Sequence, residues 1–211
     1  MSRLYAISAL ALIAALIGGI GAHILWGNLN GRDDPFAQCR ATRVAGGAGD
    51  IGGPFELVSE TGETVTEAEV ITEPVLIYFG YTFCPDICPL DVSRNAIATE
   101  ILEERGRMIT PVFVTVDPAR DDVARVAEFT DNMHPRMIGL TGSEAQVAAA
   151  SRAYRTYYNR HDAEGDEFYL VDHSTFSYLV LPEHGFVEFF RRDTSPEEMA
   201  DRIACFIDAA S

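Results

Sequence analysis

Val75-Leu76-Ile77-Tyr78-Phe79-Gly80-Tyr81-Thr82-Phe83-Cys84-Pro85-Asp86-Ile87-Cys88-Pro89 is the stretch on which the reading of this chain turns. Val75 to Phe79 is apolar, β-branched and aromatic, and lies between Pro74 and Gly80, the pattern of a short buried strand. Two cysteines four positions apart follow, and a helical pattern opens at Pro89. Proline suits the first helical turn, where no N–H is needed, and Asp91 adds an acid there. The order strand, dithiol loop, helix sets both thiols at a helix N-terminus, where free N–H groups and the helix dipole favour thiolate. Residues four apart on a helical turn lie about 6 Å apart on one face. That spacing permits either a disulfide or two sulfurs on one metal ion.

Outward from this centre, strands and helices alternate. Pro54–Val58 and Thr64–Thr66 read as strands around a turn at Glu60–Glu63. The dithiol helix runs to Gly106, with Ile97, Ile101 and Leu102 assigned to a core. Pro111–Val116 is a buried strand, Asp122–Met133 a helix and Met137–Leu140 a short strand. Ser143 caps a helix read as far as Tyr158. Tyr169–Leu181 and Phe186–Phe190 read as strands joined at Pro182–Gly185. A last helix starts behind Thr194-Ser195-Pro196. This pattern predicts an α/β fold with a central mixed sheet flanked by helices, and parallel pairing across the helix that precedes Pro111.

The N-terminal part differs. Leu4 to Ala22 carries no charge, and apolar character continues to Trp26. Residues 1–27 are therefore expected to form a single transmembrane anchor, with Arg3 on the cytoplasmic side and the rest exported. Residues 28–49, polar and then rich in glycine, read as a flexible tether, and residues 50–211 as the folded domain. The chain has 211 residues, 47% of them hydrophobic, and a formal charge of −16 with no lysine. Such acidity argues against nucleic acid as a partner and permits docking on a basic protein surface.

Phe79 to Pro89 resembles the signature of the SCO/SenC family, the membrane-anchored, thioredoxin-like copper proteins of cytochrome oxidase assembly. Four further stretches are similar to that family, in family order: Gly53-Pro54-Phe55 with Leu57, Val116 to Asp121, Gly139 to Ser143, and Val171-Asp172-His173-Ser174. The resemblance implies a thioredoxin-like fold and one copper ion, Cu(I) and also Cu(II), held by Cys84, Cys88 and His173. Soft thiolates suit Cu(I), and imidazole suits both copper states. It implies a metallochaperone rather than an enzyme. The copper would pass to the copper-accepting subunit of a haem-copper oxidase, for its dinuclear centre, with other copper chaperones or a thiol reductant as further partners. The location implied is the inner membrane, with the domain on the periplasmic side. A thiol–disulfide oxidoreductase or redox sensor using Cys84 and Cys88 is the alternative, and it has no need of His173 as a ligand.

Around this set, Asp172 is a candidate to orient His173 or else a turn residue. Asp86 is a candidate to tune the thiols or contact a partner, or else a loop cap. Asp117, Arg120 and Asp121 read as a turn with an ion pair. His134, His161 and His184 read as exposed loop residues. Cys39 and Cys205 remain. In an oxidising compartment they can form a disulfide that staples the tether to the last helix, or stay as two free thiols.

Overall fold

The computed structural model describes residues 13–22, 25–26, 34–40, 51–161 and 169–210. The chain divides into two units, 1–38 and 39–211. In the first, residues 13–22 and 25–26 are helical, with Ile13, Leu16, Ile17 and Ile20 exposed. The rest of the stretch read as an anchor, and residues 28–33 and 41–49 of the tether, lie outside the described residues. Among the described residues, no helix is long and apolar enough to cross a membrane. The second unit begins at Cys39, inside the stretch read as tether, and Cys39 is disulfide-bonded to Cys205.

The second unit is built on a seven-stranded mixed sheet. Its strands are β1 (Glu56–Ser59), β2 (Thr64–Thr66), β3 (Val75–Gly80), β4 (Thr110–Thr115), β5 (Ile138–Thr141), β8 (Ser177–Leu181) and β9 (Gly185–Phe190), in the order β2-β1-β5-β4-β3-β8-β9. β3, β4 and β5 pair in parallel, Tyr78 opposite Phe113, as the helical crossovers between them require. The outer pairs are antiparallel. Every residue of β3, β4 and β8 is buried, which is why these strands read as continuous apolar runs rather than alternating ones. β6 (Tyr158–Arg160) and β7 (Val171–His173) form a separate antiparallel ladder that sets Tyr158 opposite His173.

Among the described residues of this unit there are five helices: α1 (Glu67–Val70), α2 (Ile87–Glu104), α3 (Val123–Asp131), α4 (Glu144–Ala153) and α5 (Pro196–Ala209). α2 packs on both the sheet strands and α5. Buried on two sides, it has no simple apolar stripe: Asp91, Arg94, Asn95 and Thr99 are buried while Ile97 is exposed. The assignment of Ile97 to the core fails for this reason. α2 stops at a Schellman turn, with Gly106 at φ +73° and the Arg107 N–H reaching back to the Leu102 carbonyl.

Two element boundaries depart from the sequence reading. The helix capped by Ser143 ends at Ala153, not Tyr158, because Arg155 adopts φ +50° and closes a Schellman turn without glycine. The long strand read over Tyr169–Leu181 is two strands. Between them Ser174 turns away from the sheet, its N–H bonded to the Tyr157 carbonyl and its hydroxyl accepting from the Tyr157 N–H. This break lets β7 leave the main sheet and carry His173 across the dithiol loop.

Candidate metal centre

Cys84 lies in the loop after β3, and Cys88 lies in the first turn of α2, one position before the proline that the sequence placed at the helix start. The helix in fact opens at Ile87, with Asp86 in the cap position. Pro89 still fits, because first-turn N–H groups have no helical partner. The Asp86 side chain makes no capping bond; its carboxylate is exposed at the rim. The cap is a sulfur. Cys84 Sγ accepts the Cys88 N–H at 3.3 Å and the Asp86 N–H as well. A negative sulfur at a helix N-terminus gains from both the free donors and the dipole.

The two thiols are accordingly pushed apart. The Cys88 thiol, donating to Cys84, holds the Cys84 pKa down to about 3, with help from the backbone N–H groups of Cys88 and Asp86. Burial pushes Cys88 in the opposite direction, well above the ordinary thiol range. The pair thus keeps one proton, on the inner sulfur. Iodoacetamide labelling checks this directly. Cys84, which lines the open cleft, should alkylate at a rate nearly flat from about pH 5 to 8, where an ordinary thiol slows tenfold per unit. Cys88, fully buried, should remain unlabelled. A Cys84 rate that falls tenfold per unit below pH 8 would contradict the sulfur cap.

His173 completes the group. Its Nδ1 lies 2.9 Å from the Ser174 carbonyl, which can only accept, so Nδ1 carries the proton and Nε2 presents its lone pair. Nε2 stands 3.2 Å from Cys88 Sγ. Tyr78 and Tyr81 meet the imidazole edge-on, at 6.0 Å and 5.8 Å between ring centroids. The Tyr81 hydroxyl also accepts the N–H of Val171, two residues before His173. β3 and the loop that follows it therefore supply both the dithiol and the rings that hold its distant partner. The ligand atoms of Cys84, Cys88 and His173 all lie within 4.8 Å of one another, an arrangement that can hold one metal ion. Cys84 and His173 line a cleft of about 400 Å³ together with Pro85, Ile87, Leu170 and Thr175, and Cys88 is buried behind them.

Asp172 does not turn toward His173. Adjacent residues of a strand point to opposite faces, and the Asp172 carboxylate instead lies 2.6 Å from His161 Nε2 on the exposed side. The partner of His173 is a backbone carbonyl. Of the three histidines read as exposed, His161 and His184 are, but His134 is buried, its Nδ1 accepting the Arg136 N–H. Asp117 pairs with Arg120 at 2.5 Å, and Arg120 stacks on Tyr169. Asp121 is a buried anchor: its carboxylate accepts from the Thr82 N–H and from the Thr82 and Thr115 hydroxyls, at 2.6–2.9 Å, tying the dithiol loop to β4. Gly80 is required by close approach, since a Cβ there would stand 2.8 Å from the Tyr78 ring and 2.9 Å from Cys88 Sγ. Gly80, Tyr78 and Tyr81 all lie in the stretch quoted first; what the sequence does not reveal is which way their side chains turn.

Comparison with known proteins agrees with this geometry. The SCO1/SenC family model matches residues 43–208. The chain belongs to the SCO1/SenC family. Protein SenC of Rhodobacter capsulatus is 50% identical over 202 residues, covering 96% of this chain and 90% of that protein. The mitochondrial SCO2 homolog of Homo sapiens is 38% identical over 195 residues, 91% of this chain and 73% of that one. Among solved structures, Arabidopsis thaliana ScoI with copper bound superposes with a TM-score of 0.70 at 41% identity, covering 75% of this chain and 99% of that one. Yeast Sco1 with copper bound gives 0.70 at 36% identity, covering 75% and 89%. The SCO1/SenC fold, a thioredoxin-like α/β fold around a central mixed sheet, is thus the fold of the second unit.

Proposed function

We propose that this chain is a membrane-anchored copper metallochaperone that binds one copper ion through Cys84, Cys88 and His173. Delivery would be to the copper-accepting subunit of a haem-copper oxidase, for its dinuclear centre. The observation that carries this reading is the convergence of two sulfurs and one imidazole nitrogen on one point facing an open cleft. Membership of a family whose solved members include copper-bound forms supports it. In the same reading residues 1–27 are a single-pass anchor in the inner membrane, 28–49 the tether and 50–211 a periplasmic domain. The apolar run from Leu4 to Trp26 supports that topology. Copper oxidation state is open to both forms: the sulfurs favour Cu(I), and the nitrogen admits Cu(II).

Capture follows from the unequal thiols. Cys84, already ionised and facing the cleft, meets the ion first. Cys88 then releases its proton as its sulfur binds, and His173 adds the lone pair of Nε2. Loading at neutral pH therefore releases about one proton per ion, from Cys88. A three-coordinate ion leaves one side open to the cleft. A thiolate of the acceptor can enter there as one ligand of this chain leaves, so the ion is never free.

One observation favours a second reading. A cleft-facing thiolate backed by a buried protonated thiol is also the arrangement of a dithiol reductant. The Cys84 thiolate would attack a partner disulfide and expel one partner thiolate. The Cys88 thiol, on losing its proton, would then close the Cys84–Cys88 disulfide and expel the other. His173→Ala separates the readings. Under the metallochaperone reading it loses Cu(II) binding and copper transfer, and weakens Cu(I) by roughly 10–100-fold, while disulfide exchange with a small dithiol persists. Unchanged copper binding and transfer in His173→Ala would leave the reductase reading in possession.

A further inference from the structure

Arg120 stands between the two segments that carry the ligands. On one side its guanidinium carbon lies 3.6 Å from the centroid of the Tyr169 ring, and its Nη1 donates to the Tyr169 carbonyl at 3.0 Å. On the other it faces the Phe83 ring at 4.9 Å and the Tyr81 ring at 5.6 Å. Phe83 directly precedes Cys84, and Tyr169 lies four positions before His173. Asp117 sets the guanidinium in place. Its buried carboxylate accepts from Arg120 Nε at 2.5 Å with one oxygen and from the Tyr169 hydroxyl at 2.7 Å with the other. Asp117 is itself fixed, since its N–H donates to the hydroxyl of Thr115 at the end of β4. A planar guanidinium can stack on a ring and donate sideways at once, which an ammonium cannot.

A buried carboxylate–guanidinium pair is weak evidence for stability, because apolar residues of similar volume often serve as well. The place of this pair gives a better reason for it. β7 belongs to the small ladder with β6, so the register of the main sheet does not set where His173 stands. Tyr169 to His173 is only about 13 Å of extended chain. Gripping Tyr169 at one end, and the Val171 N–H on the Tyr81 hydroxyl midway, fixes where the imidazole falls.

We propose that Arg120, held by Asp117, is a positioning residue of the metal centre: it clamps Tyr169 against the dithiol loop and so keeps His173 within reach of the two sulfurs. The clamp determines how firmly the nitrogen completes the site, and with it the retention of Cu(II), for which two thiolates alone are a poor match. It rests on the copper reading above and adds to it a determinant outside the three ligands.

The test compares the full chain in detergent with Arg120→Ala, Arg120→Lys and Tyr169→Leu, first without copper and then with Cu(I) and Cu(II) separately. Without copper, the amides of Val171 and Ser174 should exchange with deuterium about tenfold faster or more in Arg120→Ala, while those of β3 and β4 keep wild-type rates. With copper, Cu(II) affinity should fall about 10–100-fold, the usual worth of a residue that orients a ligand. Cu(I) affinity should fall much less, because the sulfurs are untouched. Arg120→Ala leaves the Asp117 carboxylate buried without its cation. Tyr169→Leu keeps that pair, so it retains the fold and should show the same split between the two copper states. Arg120→Lys keeps the charge without the stack and should fall between Arg120→Ala and the wild type. Equal losses for Cu(I) and Cu(II), or exchange raised equally in β3 and β4, would mean general loosening and overturn the inference. So would wild-type Cu(II) affinity in Arg120→Ala and Tyr169→Leu where His173→Ala loses it. If His173→Ala itself binds Cu(II) as the wild type does, the copper reading fails, and the clamp with it.

Discussion

Cys88→Ser is expected to lower Cu(I) affinity by roughly a thousandfold or more, measured by competition with a chromophoric Cu(I) chelator under anaerobic conditions. Outer partners of a metal site are typically worth about 10–100-fold, and loss of a soft ligand itself exceeds that for a soft ion. The fold should be little affected. Cys88 Sγ sits in a pocket shaped by Gly80 and the Tyr78 ring, and a hydroxyl there is smaller and finds a ready acceptor in His173 Nε2, which stands 3.2 Å from the sulfur. The substitution also removes the thiol that holds Cys84 ionised, although the backbone donors to Cys84 remain. His173→Ala should cost Cu(I) much less, because two thiolates alone can hold that ion. The ranking of the two variants is therefore as informative as either value. Equal, small losses in both would mean that the sulfurs do not converge on the ion.

The second large effect concerns stability. Cys39 and Cys205 are joined across 166 positions of sequence. Constraint of the unfolded chain over so long a loop corresponds to about 5 kcal/mol in the chain-entropy account. The realised loss in Cys39→Ser or Cys205→Ser should be smaller, about 2–4 kcal/mol. Once cut, the residues around Cys39 regain freedom in the folded state too, although the Arg40 guanidinium still donates to the Val187 carbonyl. For a domain of this size that corresponds to a fall in Tm of roughly 10 °C, read by thermal denaturation with and without reductant. Cu(I) affinity should stay at the wild-type value, because the bridge touches α5 and none of the ligands. A Tm unchanged in both variants and insensitive to reductant would contradict a structural role for the bridge.

How much of this was legible beforehand depends on the range of the interaction concerned. β3, β4 and their parallel pairing were readable because both strands are wholly buried and short, and the crossover helix between them is marked by proline at its start and glycine at its end. The tight association of Cys84 with Cys88 is local and follows from four-residue spacing. The path that brings His173 to them is not local: it depends on the break at Ser174 and on Tyr81 holding the Val171 backbone. Only resemblance to the family pointed to it.

Errors in the reading have the same origin. Asp172 neighbours His173 in sequence, which suggested contact, but a strand turns neighbours to opposite faces, and register with β6 gives Asp172 to His161. Asp86 sits where a cap belongs, but the sulfur of Cys84 occupies the cap's place. Arg155 ends a helix without the glycine that usually signals it. Ile97 reads as a core residue, but α2 lies between the sheet and α5, where Asp91, Arg94, Asn95 and Thr99 are buried and Ile97 is exposed. In each case the missing information is a tertiary neighbour.

The most direct test of the account is X-ray absorption at the copper edge of the full chain, solubilised in detergent and loaded with one equivalent of Cu(I) without oxygen. The account predicts a three-coordinate ion with two sulfurs and one nitrogen, losing the nitrogen in His173→Ala and one sulfur in Cys88→Ser. A copper shell made of nitrogen and oxygen alone, or a spectrum identical in the wild type and both variants, would show that Cys84, Cys88 and His173 are not its ligands.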